Sequence, residues 1–333
     1  SVRQPEKFWP LVWEFCGIRA HGDMEPVLLD RDRMPGARWF PNVTLNFAQN
    51  LLRYKDERAA IVFRNEWGHR REYSYAELHA EVGRLAHALK GAGVGVGDRV
   101  AGFLPNIPET VMAMLATTSI GATWSSCSPD FGIRGVVDRF GQIAPKVLFT
   151  ADQYGYGGKR FDCLGKIREV LGELPSVEKL VVIPYAGDAL ALDGLRDAVS
   201  WPDFCGDGEH ALEFAALPFD HPLYVMYSSG TTGVPKCIVH GAGGTLIQHL
   251  KELVLHTDLK REDRIFYYTT CGWMMWNWLV SGLAVGATLV LYDGSPSHPD
   301  GNALWGLADE VGISGFGTSG EGVSAVEKGG VEA

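Results

Sequence analysis

The chain has 333 residues with a formal net charge of −10, 46% apolar and 21% charged residues. That length suits two or three subdomains around a sizeable core rather than one small domain. The acidic balance argues against nucleic acid or an anionic membrane as the main partner, and no apolar run approaches the roughly 18 residues of a membrane span.

Residues 1–55 are rich in tryptophan and proline, and the polar start Ser1-Val2-Arg3-Gln4-Pro5-Glu6-Lys7 lacks the apolar stretch of a signal peptide. Phe8-Trp9-Pro10 and Trp39-Phe40-Pro41 flank loops, and Leu45–Leu52 reads as a short helix. We read this region as an aromatic cap on the main body.

Regular alternation begins near Ala59. Ala60–Phe63 reads as a strand. Ser74-Tyr75-Ala76-Glu77 then forms a capping box before a helix whose Leu78, Val82, Leu85 and Leu89 share one face. Gly91, Gly93, Gly95 and Gly97 end that helix and lead into the strand Arg99–Leu104. A dinucleotide loop would instead follow a strand and open a helix, so that reading is rejected.

Helices near 108–118, 133–143 and 163–174 precede strands at 122–126, 146–150 and 179–183. Such alternation implies parallel β-α-β units and a doubly wound, mostly parallel α/β fold. Residues 185–220 lose the rhythm and read as a connection between subdomains at about 56–184 and 221–333. In the second, helices near 244–256, 277–285 and 304–311 alternate with strands at 264–268 and 287–292.

Three stretches carry candidate chemistry. Tyr227–Lys236 lies between the apolar, strand-like Leu223–Met226 and Cys237–Val239. Glycines can turn amides inward there, Ser228, Ser229, Thr231 and Thr232 offer hydroxyls, and Lys236 adds a cation. These parts suit a polyphosphate, although the Gly-Lys-Ser/Thr order of a Walker loop is missing. The second stretch is Thr269-Thr270-Cys271-Gly272-Trp273-Met274-Met275-Trp276-Asn277-Trp278, whose apolar cluster at a strand-to-helix junction can be core or pocket wall. The third, Tyr154-Gly155-Tyr156-Gly157-Gly158-Lys159-Arg160, reads by itself as a basic solvated turn, with phosphate contact as the alternative.

Ten histidines show no metal-ligand spacing, and His240 reads as internally hydrogen-bonded rather than a phosphate ligand. Six dispersed cysteines without a C-x-x-C pair fit a reducing cytoplasm.

Ser228-Ser229-Gly230-Thr231-Thr232-Gly233-x-Pro235-Lys236 resembles the phosphate loop of the adenylate-forming enzymes: acyl-CoA synthetases, luciferases and peptide-synthetase adenylation domains. The resemblance runs over nearly the whole chain. Leu45-Asn46 before the Asn50-Leu51-Leu52 run is similar to the leader segment of the acetyl-CoA synthetase group, and Trp124–Gly132, His240–Glu252, Gly272–Trp278 and Leu291–Pro296 are more similar to the acetoacetyl-CoA synthetases than to their acetyl-CoA siblings. Those siblings place Thr-Gly-His where this chain has Met275-Trp276-Asn277.

The resemblance implies ATP with its Mg²⁺, acetoacetate and coenzyme A as small-molecule reactants, and no protein-held metal. It implies phosphate contacts at Ser228, Ser229, Gly230, Thr231, Thr232, Gly233 and Lys236, and an acyl pocket at Gly272, Trp273, Met274, Met275 and Asn277. It also sets coenzyme A contacts at Tyr156, Gly157, Gly158, Lys159 and Arg160 beside the solvated-turn reading. Residues 1–55 become an N-terminal cap of the acetyl-CoA-synthetase type, and 56–333 the first part of an adenylation domain.

Family members are longer. Their Thr-Glu adenine segment, ribose aspartate and C-terminal adenylation lysine have no counterpart here. Gly317-Thr318-Ser319-Gly320 lacks the Thr-Glu pair and reads as a strand end near the acyl pocket. Both ends look cut, so the 333 residues alone are expected to be inactive. A truncated nucleotide- or coenzyme-A-binding remnant, adenylation without coenzyme A, and a ligase for another short acid stand as alternatives.

Overall fold

The computed structural model describes residues 2–187, 190–228 and 233–320. Two twisted sheets dominate. The larger runs, edge to edge, Ala198–Ser200, Lys179–Ile183, Val147–Ala151, Arg99–Phe103, Thr123–Cys127, Pro222–Tyr227 and Cys237–Gly241; only the last pairing is antiparallel. The smaller runs Gly315–Gly317, Arg264–Tyr267, Thr288–Asp293, Ala59–Asn65 and Arg70–Ser74, again with one antiparallel edge. This is the mostly parallel α/β arrangement expected from the alternation.

Side chains alternate across each strand, so successive residues of the central strands enter different cores although nearly all are buried. Ile61, Phe63 and Leu289 of the smaller sheet share one core with Val100 and Trp124 of the larger. The residues between them point the other way. Ala101, Leu148 and Val182 pack under Phe140 and Ile167 of two helices, while Val62 and Val290 pack under Leu304 and Leu307 of a third. Both faces of both sheets are therefore covered.

The elements with strong local signals form as read. Ser74 and Glu77 make the reciprocal capping box of the helix Tyr75–Gly91, whose Leu78, Val82, Leu85 and Leu89 are fully buried. Pro108–Ser119 is a helix buried along its whole length. Its Glu109 carboxylate accepts both guanidinium arms of Arg71, which ties it to the smaller sheet.

Other features differ from the sequence reading. The sheets do not follow the boundary at 185–220. The larger takes Pro222–Tyr227 and Cys237–Gly241 from beyond it, and the smaller takes Ala59–Asn65 and Arg70–Ser74 from before it. Alternation in sequence specifies strands and helices, but not which distant strand each one pairs with. The connection itself holds an edge strand, Ala198–Ser200, too short for a period to show, followed by the helix Trp201–Cys205. In the cap, Pro5–Cys16 is a helix ended by Gly17 in the left-handed region. Trp13 from that helix packs at 5.0 Å on Phe40 and 6.1 Å on Phe219, which anchors the cap beside the strand Pro222–Tyr227. Among the described residues no helix is long and apolar enough to cross a membrane.

Candidate active site

The serine- and glycine-rich stretch is the connection of an antiparallel hairpin, Pro222–Tyr227 with Cys237–Gly241, at the edge of the larger sheet. Its neck is closed twice: Ser228 N donates to the Lys236 carbonyl at 3.0 Å, and Lys236 N donates to Ser228 Oγ at 3.1 Å. Gln142 Nε2 donates to the Pro235 carbonyl at 2.8 Å, pinning the loop to the helix Ile133–Ile143. Gly233 has φ +150°, where a side chain would be strained. The Lys236 side chain is exposed and forms no ion pair among the described residues. Ser229, Gly230, Thr231 and Thr232 lie outside the described residues. The neck thus presents one hydroxyl and one unneutralised cation on a rigid base, a chemistry suited to phosphate oxygens.

The Gly272–Trp278 stretch divides on folding. Met274–Val280 is helical, and helical spacing sends Met274, Met275 and Trp278 to one side. There they wall a cavity of about 580 Å³ with Thr245, Gln248 and His249 of the helix Ala242–Leu250 and with His240 of the hairpin. Gly272 and Asn277 face a separate space of about 10 Å³ beside Trp124, Tyr224 and Cys271. Asn277 is 3% exposed and donates to the Trp273 carbonyl at 3.4 Å, while its Oδ1 has no partner among the described residues. Trp273 is 62% exposed. Of the five acyl-pocket candidates, two reach the larger cavity.

His249 went unremarked as a candidate. Thr245, Gln248, His249 and Glu252 form an i, i+3, i+4, i+7 polar stripe, the one sequence signal that could have found it. Its Nδ1 lies 2.8 Å from Ser281 Oγ, and burial pushes its pKa down to about 4, so the imidazole is neutral near pH 7. His240 is half-buried, with its ring 5.3 Å from that of Tyr224, and burial lowers its pKa as well. No cluster of acidic, histidine or cysteine side chains able to hold a metal occurs among the described residues.

The third stretch is a β-hairpin, Gln153–Tyr156 with Lys159–Asp162. Its two-residue turn places Gly157 and Gly158 at φ +63° and +77°, the geometry glycine allows without strain. Both turn amides donate at 3.0 Å to the Glu66 carboxylate, which also accepts from Ser295 N at 2.9 Å. This nest already holds an anion of the chain itself. Lys159 is exposed, and the Arg160 guanidinium lies 4.8 Å over the Trp67 ring.

Tyr156 lines a second cavity, of about 410 Å³, with Asn106, Ser128, Tyr268, Thr270 and Asp293. These residues follow the carboxyl ends of strands from both sheets, the usual ligand position in open α/β sheets. Tyr185 donates to Asp293 at 2.8 Å and accepts from Asn65 Nδ2 at 2.7 Å. Burial, with Glu66 nearby, pushes the Asp293 carboxyl up to about 7 against the lowering effect of Tyr185.

A sequence profile described as "AMP-binding enzyme" matches residues 47–326. The chain belongs to the AMP-binding enzyme family. Within that family it is 54% identical over 332 residues to the acetoacetyl-coenzyme A synthetase of Rhizobium meliloti (strain 1021), covering 99% of this chain and 51% of the relative. It is 46% identical to the acetoacetyl-CoA synthetase of Danio rerio, covering 98% and 50%. The solved acetoacetyl-CoA synthetase of Streptomyces lividans superposes with a TM-score of 0.92 at 47% identity, over 98% of this chain and 50% of that one. The chain therefore spans about half the length of the curated relatives it matches.

Proposed function

We propose that this chain carries the phosphate-binding and acyl-lining part of an ATP-dependent acetoacetate–CoA ligase. The observation that carries the reading is the likeness to acetoacetyl-CoA synthetases along 98–99% of the chain. The acetoacetate carboxylate attacks the α-phosphate of ATP, forming the acyl-adenylate and expelling pyrophosphate. The coenzyme A thiol then attacks the acyl carbon, loses its proton and releases AMP. No covalent enzyme intermediate is needed, so the barrier falls through positioning and charge stabilisation.

In this reading Ser228, Gly233, Lys236 and the intervening loop hold the triphosphate, with Mg²⁺ carried by the nucleotide. Met274 and Met275 wall the acyl group. Coenzyme A meets Tyr156 and the side chains of Lys159 and Arg160, because the Gly157 and Gly158 amides are engaged by Glu66. Six free cysteines suit the cytoplasm as its home.

The test is turnover by the intact protein with ATP, Mg²⁺ and coenzyme A, comparing acetoacetate with acetate and propionate. AMP and a thioester should form, with the highest kcat/KM for acetoacetate. Acetate or propionate outrunning acetoacetate sinks the choice of acid, and pyrophosphate without thioester supports adenylation alone. The 333-residue chain by itself should give no turnover; steady pyrophosphate release from it would overturn that expectation.

A further inference from the structure

We propose that His249 is a specificity-determining residue, donating a hydrogen bond from Nε2 to the ketone oxygen of the acyl group in the 580 Å³ cavity. The proposal rests on the acetoacetate reading above and adds to it a residue that recognises the β-oxygen.

The cavity wall is largely apolar on the side of Met274, Met275 and Trp278, so any polar atom that reaches it has a large say in what binds. His249 is such a group. It is only 7% exposed, yet it lines the cavity. Nδ1 is taken by Ser281 Oγ at 2.8 Å. Nε2, on the opposite side of the imidazole, has no hydrogen-bond partner among the described residues.

Two proton arrangements satisfy the group that holds the ring. Ser281 has one hydroxyl proton and two acceptors in reach, Nδ1 at 2.8 Å and the Asn277 carbonyl at 3.2 Å. That carbonyl already accepts the Ser281 backbone N–H. Either the hydroxyl donates to the carbonyl and accepts from Nδ1–H, or it donates to the closer and more basic Nδ1, which leaves the ring's own proton on Nε2; we assign the second. The ring is also neutral near pH 7. It therefore offers a directed donor rather than a charge that would recruit a second carboxylate.

A β-ketone offers only acceptor lone pairs and fits that donor. Butyrate has the same four-carbon length and nothing to place there, so once bound it leaves that N–H without a partner, the situation by which sites reject analogues.

The experiment measures kcat/KM for acetoacetate and for butyrate in the intact enzyme and in three variants. His249→Ala should lower the acetoacetate-to-butyrate ratio about 10–100-fold. His249→Gln, which keeps an N–H at similar reach, should recover part of it. Ser281→Ala, which frees the tautomer, should lower it by roughly 3–10-fold. Melting temperatures accompany each variant, so that if His249→Ala fails to fold, the other two decide. Ratios unchanged within about twofold in the folded variants, with both acids losing equally, assign His249 a structural role and overturn the proposal. Failure of the underlying reading looks different: the unmodified enzyme itself would then show no preference for acetoacetate over butyrate.

Discussion

Two hairpins with glycine in their turns stand near the two cavities, and they differ in what occupies them. In the hairpin Gln153–Tyr156 with Lys159–Asp162, the turn amides converge on Glu66, a carboxylate from the smaller sheet's own turn. In the hairpin of Tyr227 and Cys237, Ser228 and Lys236 bond to each other, Gln142 donates to the Pro235 carbonyl, and the exposed Lys236 side chain forms no ion pair among the described residues. Both sequences advertise anion binding. A glycine nest is open to a ligand only where the fold does not deliver a carboxylate of its own, and that depends on residues about ninety positions away.

This contrast can be broken from either side. Lys236→Ala in the intact enzyme should have the largest effect, slowing acetoacetate-dependent pyrophosphate exchange about 100–1000-fold. Its effect on urea stability should stay within about 0.5 kcal/mol, since the side chain is exposed and forms no ion pair among the described residues. Unchanged exchange would remove the phosphate role from this hairpin.

Glu66→Ala attacks the other hairpin. It removes an acceptor shared by three backbone N–H groups and should cost about 2 kcal/mol in urea unfolding, with Glu66→Gln losing less. If Glu66→Ala unfolds at the same urea concentration as the parent, the carboxylate is not holding the turn.

The third effect is one of pH. Asp293 titrates near 7 in the folded chain against 3.8 ordinarily, burial being the main cause. Between those values the folded state binds more protons than the unfolded one. Its contribution therefore makes stability fall as pH rises from about 4 to about 7, by no more than about 1.4 kcal/mol per pH unit. Asp293→Asn should flatten that fall. Glu66→Ala should shrink it, because the neighbouring carboxylate helps hold the Asp293 value up. Parallel stability-against-pH curves for parent and Asp293→Asn would refute the assignment.

Much of the secondary structure was legible. The helix Ile133–Ile143 and the strand Lys179–Ile183 match their sequence bounds, and the capping box opens its helix at Tyr75 as read. The hairpin Pro222–Tyr227 with Cys237–Gly241 was legible too, as a polar loop between two strand-like runs. These features depend on periodicity and backbone bonding within a few residues, which neighbouring side chains decide. The Trp-Met stretch was legible as a cluster but not as a site. The sequence holds the helical spacing that separates Met274 and Met275 from Asn277, yet does not say which face meets a cavity.

What the sequence determined by itself was thus the order of strands and helices, the family likeness and the polar loop between two strands. The tertiary structure alone decided which strands share a sheet, that Glu66 fills the glycine nest, and that His249 reaches the wall of the larger cavity. The physical reason is range. Glu66 and Gly157 lie 91 residues apart and His249 and Ser281 lie 32 apart, so their meeting depends on how whole sheets and helices pack. No local pattern records it.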